Sequence, residues 1–393
     1  MANALNEEGF DVVEHLSVSD TRAGIRSGLD RALTDADVVL MTGGLGPTKD
    51  DITKKVLAEY MGTELVFHED SWNRLVKLYA AFGKQATRHH RVQCLLPATA
   101  TVLTNERGTA PGMWLEHAGK ILVSMPGVPY EMRYLIKNEV IPRLIAGNTD
   151  ATRQRSLTIL TAGEGESTIA EMIEEVEDSL PAHMSLAYLP NLGTVRLRLT
   201  TRGTGEAAMQ AELKEYKTRI EAIVGYTVYG YGKEDLALAV QRRMQGRHLT
   251  LVTAESCTGG SIAGMITSHP GSSGHFLGGI VAYDNAVKEN LLGVPTGLLE
   301  KHGAVSEQVV EAMAAGVRKA LKADYSIATS GVAGPGGGTD DKPVGTIWIA
   351  VAGPNGVASR LLNAGKDRKR NVTYTVHQAL EFLRRQLDQL LPV

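Results

Sequence analysis

The stretch Asp37-Val-Val-Leu-Met-Thr-Gly-Gly-Leu-Gly-Pro-Thr48 runs from a short apolar segment directly into a glycine loop, and a helical pattern over residues 51–61 follows it. A buried strand that ends in glycines before a helix is the building unit of a parallel sheet covered on both faces. Upstream, Ile25, Leu29 and Leu33 recur at a spacing of four and predict a helix over residues 21–34. Residues 10–16 read as a strand ahead of it, and residues 2–9 as the tail of a helix closed by a glycine cap. Downstream, Lys-Ile-Leu-Val-Ser-Met (120–125) is a second strand, running into Pro126-Gly-Val-Pro-Tyr-Glu131 and a helix. A first α/β domain over residues 1–150 follows from this order.

The pattern changes beyond residue 155. Strands at 156–161, 184–188, 195–201 and 226–229, with helices at 167–174 and 206–224, predict a small α+β domain over residues 151–232. The α/β alternation then resumes over residues 233–393. Helices at 236–244 and 258–267 enclose a strand at 249–254, and further strands are expected at 279–283, 325–330 and 346–352. Ser306 opens a helix with Val310, Met313, Val317 and Leu321 on one face, and a last helix covers 369–391.

Composition bounds the function. The 393 residues carry a net charge of -3, 43% apolar and 22% charged residues, the balance of a soluble globular chain of two or three domains. Near-neutral charge argues against nucleic acid or an acidic membrane surface as the partner. The 2 cysteines, Cys94 and Cys257, are far apart and form no disulfide framework, which predicts a reducing, cytoplasmic setting. No apolar run reaches the ~18 residues of a membrane span, and the first residues show no secretion signal. Glycine is in excess, with 42 of 393 residues against an ordinary ~7%.

Much of that glycine falls at strand ends. The loop holding Gly43, Gly44, Gly46 and Thr48 exposes amides at a helix start, where a phosphate or carboxylate is stabilised, and the adjacent Asp50 and Asp51 offer hard oxygen ligands for a divalent cation. The plain alternative is a helix whose first turn is acidic. Thr253-Ala-Glu-Ser-Cys-Thr-Gly-Gly260 is a second strand–turn–helix junction, at which Ser256 is a candidate nucleophile in need of a base. Cys257 is its rival, or a small packing residue, and Ser256 and Thr258 also suit helix caps. In Tyr283-Asp-Asn-Ala-Val-Lys288, Lys288 is expected at the end of a strand, where partial desolvation makes a lysine a base; a solvated lysine is the plain alternative. Ser330-Gly-Val-Ala-Gly-Pro-Gly-Gly-Gly338 lets backbone approach a ligand closely. Gly365-Lys-Asp-Arg-Lys-Arg370 supplies an arginine for a phosphate, or a solvated helix start. The histidines show no zinc-binding spacing. Three of these loops lie at carboxyl ends of expected strands, where open α/β sheets bind ligands.

Together with His302-Gly-Ala-Val-Ser306 and Lys342-Pro-Val-Gly-Thr346, these C-terminal motifs resemble the CinA family, whose C-terminal domain is a nicotinamide mononucleotide deamidase. Gly43 to Thr53, Arg107-Gly-Thr-Ala-Pro-Gly112 and Met125 to Glu131 are similar to the MoaB/MogA-like domain of the same family. The resemblance implies a MoaB/MogA-like three-layer domain, a small α+β domain and a C-terminal α/β deamidase domain. It also implies hydrolysis of the carboxamide of nicotinamide mononucleotide to nicotinate mononucleotide and ammonia, without a cofactor. By family precedent Ser256 is the nucleophile and Lys288 the base. Tyr283, Asn285, Thr258, Gly259, Gly260, Ser330, Gly331, Gly334 and Arg370 contact the substrate, with Arg368 an alternative to Arg370 at the phosphate. For the N-terminal domain it implies an ADP-ribose pyrophosphatase using a divalent metal at Asp50 and Asp51, with Gly43, Gly44, Gly46, Thr48, Gly127 and Glu131 near phosphate or metal. A non-enzymatic nucleotide-binding role linked to competence is the third alternative. Members of the family begin with a strand that this chain lacks, so unpaired strand edges and an incomplete N-terminal pocket are expected. Exposed edges and a composite pocket predict a homodimer with a small-molecule nucleotide substrate.

Overall fold

A computed structural model of the chain describes residues 1–48, 50–147 and 153–389. The boundary expected at residue 150 and the helix end expected at 391 lie outside the described residues. The chain divides into two compact units, Met1–Arg155 with Arg202–Glu206, and Ser156–Thr201 with Ala207–Val393.

The first unit opens with α1 (Ala2–Glu7) and α2 (Arg22–Asp35), followed by β1 (Val38–Thr42) and α3 (Thr53–Tyr60). Thr21 caps α2 by accepting from the Gly24 amide at 3.1 Å. Then come β2 (Leu65–Phe67), α4 (Glu69–Ala81), β3 (Leu95–Pro97), β4 (Thr101–Leu103), β5 (Gly112–His117), β6 (Lys120–Met125), α5 (Pro129–Leu135) and α6 (Ile141–Gly147). The main sheet has the order β1-β6-β5-β4, with β1 and β6 parallel and the other pairs antiparallel. Ile25, Leu29, Val56 and Leu57 cover one face of it, and Leu135, Val140 and Leu144 the other. This is the three-layer arrangement expected.

One expected strand is absent. Among the described residues, 10–16 form no ladder and β1 pairs only with β6, and most of the segment is exposed. A buried parallel strand needs apolar cover on both faces. Asp11, Glu14 and His15 deny it that.

The second unit begins with β7 (Arg153–Ala162), α7 (Glu166–Asp178), β8 (Met184–Asn191), β9 (Thr194–Gly203), α8 (Glu206–Val224) and β10 (Val228–Tyr231). The strands form a sheet of order β10-β7-β9-β8. Ile169 and Ile173 of α7 and Leu213 and Ile220 of α8 pack on it.

The C-terminal domain follows as α9 (Leu236–Gly246), β11 (Leu251–Glu255), α10 (Ser261–Thr267), β12 (Phe276–Val281), α11 (Asn285–Leu292), α12 (Thr296–His302), α13 (Glu307–Leu321), β13 (Tyr325–Gly331), β14 (Thr346–Gly353), β15 (Gly356–Asn363) and α14 (Arg368–Leu387). Its sheet has the order β12-β11-β13-β14-β15, with β11 an interior strand parallel to both neighbours, and β14–β15 an antiparallel hairpin. Val240, Ile262, Leu380 and Leu383, from α9, α10 and α14, share one core. Val309, Val310, Met313 and Val317 of α13 build the other. The chain therefore leaves β11 toward one face and β12 toward the opposite face, which makes their carboxyl ends a topological switch point. Strand β15 escapes the sequence reading, although Gly353-Pro-Asn-Gly356 between two apolar runs is a hairpin signal. Among the described residues no helix is long and apolar enough to cross a membrane.

Candidate active site

Three loops meet at the carboxyl end of the C-terminal sheet. The first follows β11. Helix α10 starts at Ser261, three residues later than the sequence predicts, because Gly260 sits at φ +94° and ends the turn. Residues 256–260 thus form a tight turn. The Ser256 amide donates to Thr329 O of β13 at 3.0 Å, and the Ser256 hydroxyl is half-buried with no hydrogen-bond partner among the described residues. The amides of Cys257 and Thr258 have no backbone or carboxylate acceptor among the described residues, whereas those of Gly260, Ile262 and Ala263 all donate to the Glu255 carboxylate at 3.1, 3.0 and 2.8 Å.

Cys257 is buried, and burial pushes its thiol up to about 12. A thiol held protonated is a poor nucleophile at neutral pH, which sets the rival reading of this turn at a disadvantage. The Thr258 hydroxyl donates to Glu255 at 2.7 Å and lies 2.8 Å from the Thr329 hydroxyl. It is buried and braces the turn from behind, so the substrate contact expected of it has no free hydroxyl to make it. Gly259 and Gly260 both have positive φ, with open space around Gly259.

The second loop follows β12, and the Ala282 amide donates to Glu255 O at 2.8 Å, so it runs alongside the Ser256 turn. Tyr283 is 62% exposed. Lys288 is not at a strand end: Asp284 accepts from the Ala286 amide at 2.8 Å and starts α11, which carries Lys288 one turn in. There its side chain is 1% exposed, and Nζ donates to Tyr283 O at 3.2 Å. Burial lowers its proton affinity below the ordinary lysine value, with Asp284 and Cys257 acting in the opposite sense. Asn285, at the first position of α11, is exposed.

The third loop follows β13. The Ser330 hydroxyl is buried and donates to Ala304 O at 2.6 Å, fixing the segment before α13 rather than facing open space. Gly334, at φ +92°, leaves only 2.6 Å between an added Cβ and Val344 Cγ1, so no larger residue fits there. At Gly331 an added Cβ would stand 2.6 Å from Ile347 Cγ1. Arg368, the first residue of α14, reaches this loop: Nη1 donates to Gly334 O at 3.0 Å and Nη2 to Tyr283 Oη at 3.1 Å. Arg370 is exposed, and the Arg370 contact that orders this helix start is its amide, which donates to Asp367 at 2.8 Å. Between the two arginines, the structure brings Arg368 into the loop cluster. Asn371 braces the same corner by donating to Ala333 O and Gly365 O at 2.9 and 2.7 Å. Glu255, Thr329, Arg368 and Asn371 thus organise the site, and Asn371 and Thr329 carry no motif by which a single sequence would single them out.

The N-terminal glycine loop is a separate matter. Gly43 and Gly44 have positive φ, and the Gly43 amide donates to Met125 O at 3.0 Å, next to Gly127. One oxygen of Asp51 accepts from the amide and hydroxyl of Thr48, closing the turn that also contains Gly46. Burial alone would raise the Asp51 carboxyl, but hydrogen bonds from Thr48 and the Gly46 amide outweigh it and hold it below the usual range. Asp50 is exposed. Glu131 is buried and accepts from Asn105 at 2.6 Å. Among the described residues no group of three His, Cys, Asp or Glu side chains could hold a metal ion. The donors present do not fit the divalent metal that the resemblance implies, because no third such ligand among the described residues joins Asp50 and Asp51, and Asp51 and Glu131 each already give an oxygen to protein donors. Beside them Lys54 of α3 is 4% exposed. Its Nζ donates to Val92 O at 2.7 Å, and burial brings it down to about 8.

A half-buried serine, a buried lysine and an arginine thus stand at the switch point of the C-terminal sheet, an α/β domain carrying the groups for nucleophilic chemistry. Comparison with known proteins gives the family. Residues 233–387 match the model of the CinA C-terminal domain, residues 1–146 that of the probable molybdopterin binding domain, and residues 156–230 that of the damage-inducible protein CinA KH domain. A CinA-like protein of Flavobacterium psychrophilum is 42% identical, over 98% of this chain and 93% of its own. One of Cytophaga hutchinsonii is 40% identical, over 98% and 92%. Among solved structures, the competence/damage inducible protein CihA of Agrobacterium tumefaciens is 40% identical, over 39% of this chain and 94% of that one, with a TM-score of 0.38. The chain belongs to the CinA family.

Proposed function

We propose that the C-terminal site hydrolyses the carboxamide of nicotinamide mononucleotide, releasing ammonia and nicotinate mononucleotide. The observation that carries this reading is Lys288, a lysine 1% exposed whose Nζ, among the described residues, has one hydrogen bond, to Tyr283 O, beside the turn that bears the Ser256 hydroxyl, itself without a partner among those residues. A lysine so buried gives up its proton more readily than one in water, and the neutral amine is a base.

In the proposed sequence Ser256 Oγ attacks the carboxamide carbon and its proton passes to Lys288 Nζ. The carbonyl oxygen becomes an oxyanion, which the amides of Cys257 and Thr258 stabilise. Collapse breaks the C–N bond, and Lys288 returns the proton to the departing nitrogen, which leaves as ammonia. Water then cleaves the serine ester, with Lys288 as base again, giving the carboxylate and restoring Ser256. Tyr283 offers an exposed aromatic face to the pyridine ring. Arg368, with two of its nitrogens on Tyr283 and Gly334, supplies the cation for the phosphate, beside Arg370.

The test is ammonia release from nicotinamide mononucleotide by the full chain and by Ser256→Ala. Release by the first and loss in the second is expected. Equal turnover by both overturns the assigned nucleophile, and no turnover by either overturns the activity.

A further inference from the structure

Glu255 ends β11 with its carboxylate 1% exposed, and no cation pairs with it among the described residues. Four donors satisfy it instead: the Thr258 hydroxyl at 2.7 Å and the amides of Gly260, Ile262 and Ala263 at 3.1, 3.0 and 2.8 Å. A helix is ordinarily capped by the residue at its own start. Here that residue is Gly260, which has no side chain to offer, and the cap arrives from the strand, five residues upstream. One carboxylate therefore joins the end of β11 to the start of α10 and closes the turn between them into a loop with both ends fixed.

The far side of the turn is fixed to β13, by the Ser256 amide on Thr329 O at 3.0 Å and the Thr258 hydroxyl 2.8 Å from that of Thr329. Of the amides from Ser256 to Ala263, those of Gly259 and Ser261 donate within the turn, to Ser256 O and Thr258 O. The helix-start amides that would otherwise attract a ligand anion are spent on Glu255. Among the described residues the Cys257 and Thr258 amides, directly after the candidate nucleophile, are the two in this turn with no backbone or carboxylate acceptor. We propose that Glu255 is a positioning residue for the serine chemistry: it holds the Ser256–Gly260 turn in the shape that keeps those two amides for the oxyanion and withholds the α10 N-terminus from the ligand's phosphate. The inference rests on the amidase reading and deepens it.

A glutamine at this position has nearly the same shape, but it accepts with one oxygen and presents an NH2 group to donors. An aspartate is one methylene too short to reach both Thr258 and Ala263. The experiment compares the full-length protein with Glu255→Gln and Glu255→Asp, by steady-state ammonia release from nicotinamide mononucleotide and by amide hydrogen exchange. For Glu255→Gln, kcat is expected to fall about 10- to 100-fold while KM stays within about threefold. Exchange at Gly260, Ile262 and Ala263 is expected to speed up about tenfold or more while Val252 and Ala254 in β11 stay protected. Glu255→Asp is expected to resemble Glu255→Gln rather than the parent. A kcat equal to the parent's, or unchanged exchange at the α10 start, overturns the proposal. If the Gln variant does not fold, Thr258→Val removes one of the four donors and leaves the carboxylate; it should lower kcat more than it alters KM, and an unaltered kcat overturns the proposal equally. A parent protein that releases no ammonia instead overturns the amidase reading, and that is seen before any variant is compared.

Discussion

Tyr283 Oη accepts a hydrogen bond of 3.1 Å from Arg368 Nη2, joining residues that stand 85 positions apart in the chain. With the second bond, from Nη1 to Gly334 O at 3.0 Å, one guanidinium ties the loop after β12 to the loop after β13. Arginine suits this role because its planar fork bonds in two directions at once and stays charged. An incoming phosphate competes with a neutral phenol and a carbonyl for the same donors, and the charged acceptor makes the stronger bond. Arg368→Met should therefore raise KM for nicotinamide mononucleotide about 10- to 100-fold, the worth of one charge-assisted bond, with a smaller change in kcat. Arg370→Met should raise it less. Steady-state kinetics on both variants decide between the two arginines, and a larger effect at Arg370 sinks the assignment to Arg368.

The buried Lys288 sets a pH dependence. As a base it acts only when neutral, and burial lowers its proton affinity. kcat/KM should climb with pH and level off at a pH below the ordinary lysine value of about 10.4. Lys288→Arg keeps the charge but cannot lose its proton, so it should cost about 100-fold or more across the whole range. A pH–rate profile whose rising limb survives in Lys288→Arg would assign that limb to another group.

Ser256 and Cys257 are neighbours with opposite prospects. The serine hydroxyl has no partner among the described residues, while burial pushes the cysteine thiol up to about 12. Cys257→Ser should keep activity within about fivefold, the cost of a polar atom in a small buried site, whereas Ser256→Ala should abolish it. The two ammonia assays, with thiol-blocking reagents as a control, are sufficient, since blocking a buried thiol should be slow.

Sequence and structure agree where local signals are strong. The Val38–Thr42 strand with its glycine loop, the four-residue spacing of Ile25, Leu29 and Leu33, and the motif loops at strand ends were all legible, because periodicity and glycine punctuation act locally. Residues 10–16 read as a strand after the glycine cap at Gly9, but a strand exists only if it finds a ladder partner, which is a property of the whole sheet. Lys288 reads as a strand-end residue unless Asp284 is recognised as a helix cap, which it is in the structure. Arg368 and Glu255 sit inside recognised motifs, yet their roles depend on partners on other elements: Tyr283 and Gly334 for one, the start of α10 for the other. Asn371 and Thr329 were invisible for the same reason. A buried amide and a strand threonine are ordinary residues until their partners are known.

Lys54 gives the N-terminal unit a pH-dependent stability with a definite sign. Its ammonium is buried, and burial, opposed by Cys94 and Asp51, brings it down to about 8, against about 10.4 in an unfolded chain. Below the folded value both states hold the proton and the cost of burying the charge is fully present. Between the two values the unfolded chain is still protonated while the folded one is not, so the unfolded state binds more protons and stability rises with pH. The gain across that window is about 3 kcal/mol at most. Lys54→Met removes the titrating group. It also takes from Val92 O the Nζ donor at 2.7 Å, a loss of about 0.5–1.5 kcal/mol, because that carbonyl keeps the Leu95 amide. A variant more stable than the parent at pH 7, by a margin that shrinks between pH 8 and 10, is therefore expected in urea unfolding followed by the fluorescence of Trp72 and Trp114. Parallel pH profiles for the two proteins would mean that Lys54 keeps its ordinary proton affinity, and that the Val92 carbonyl and its neighbours compensate the buried charge in full.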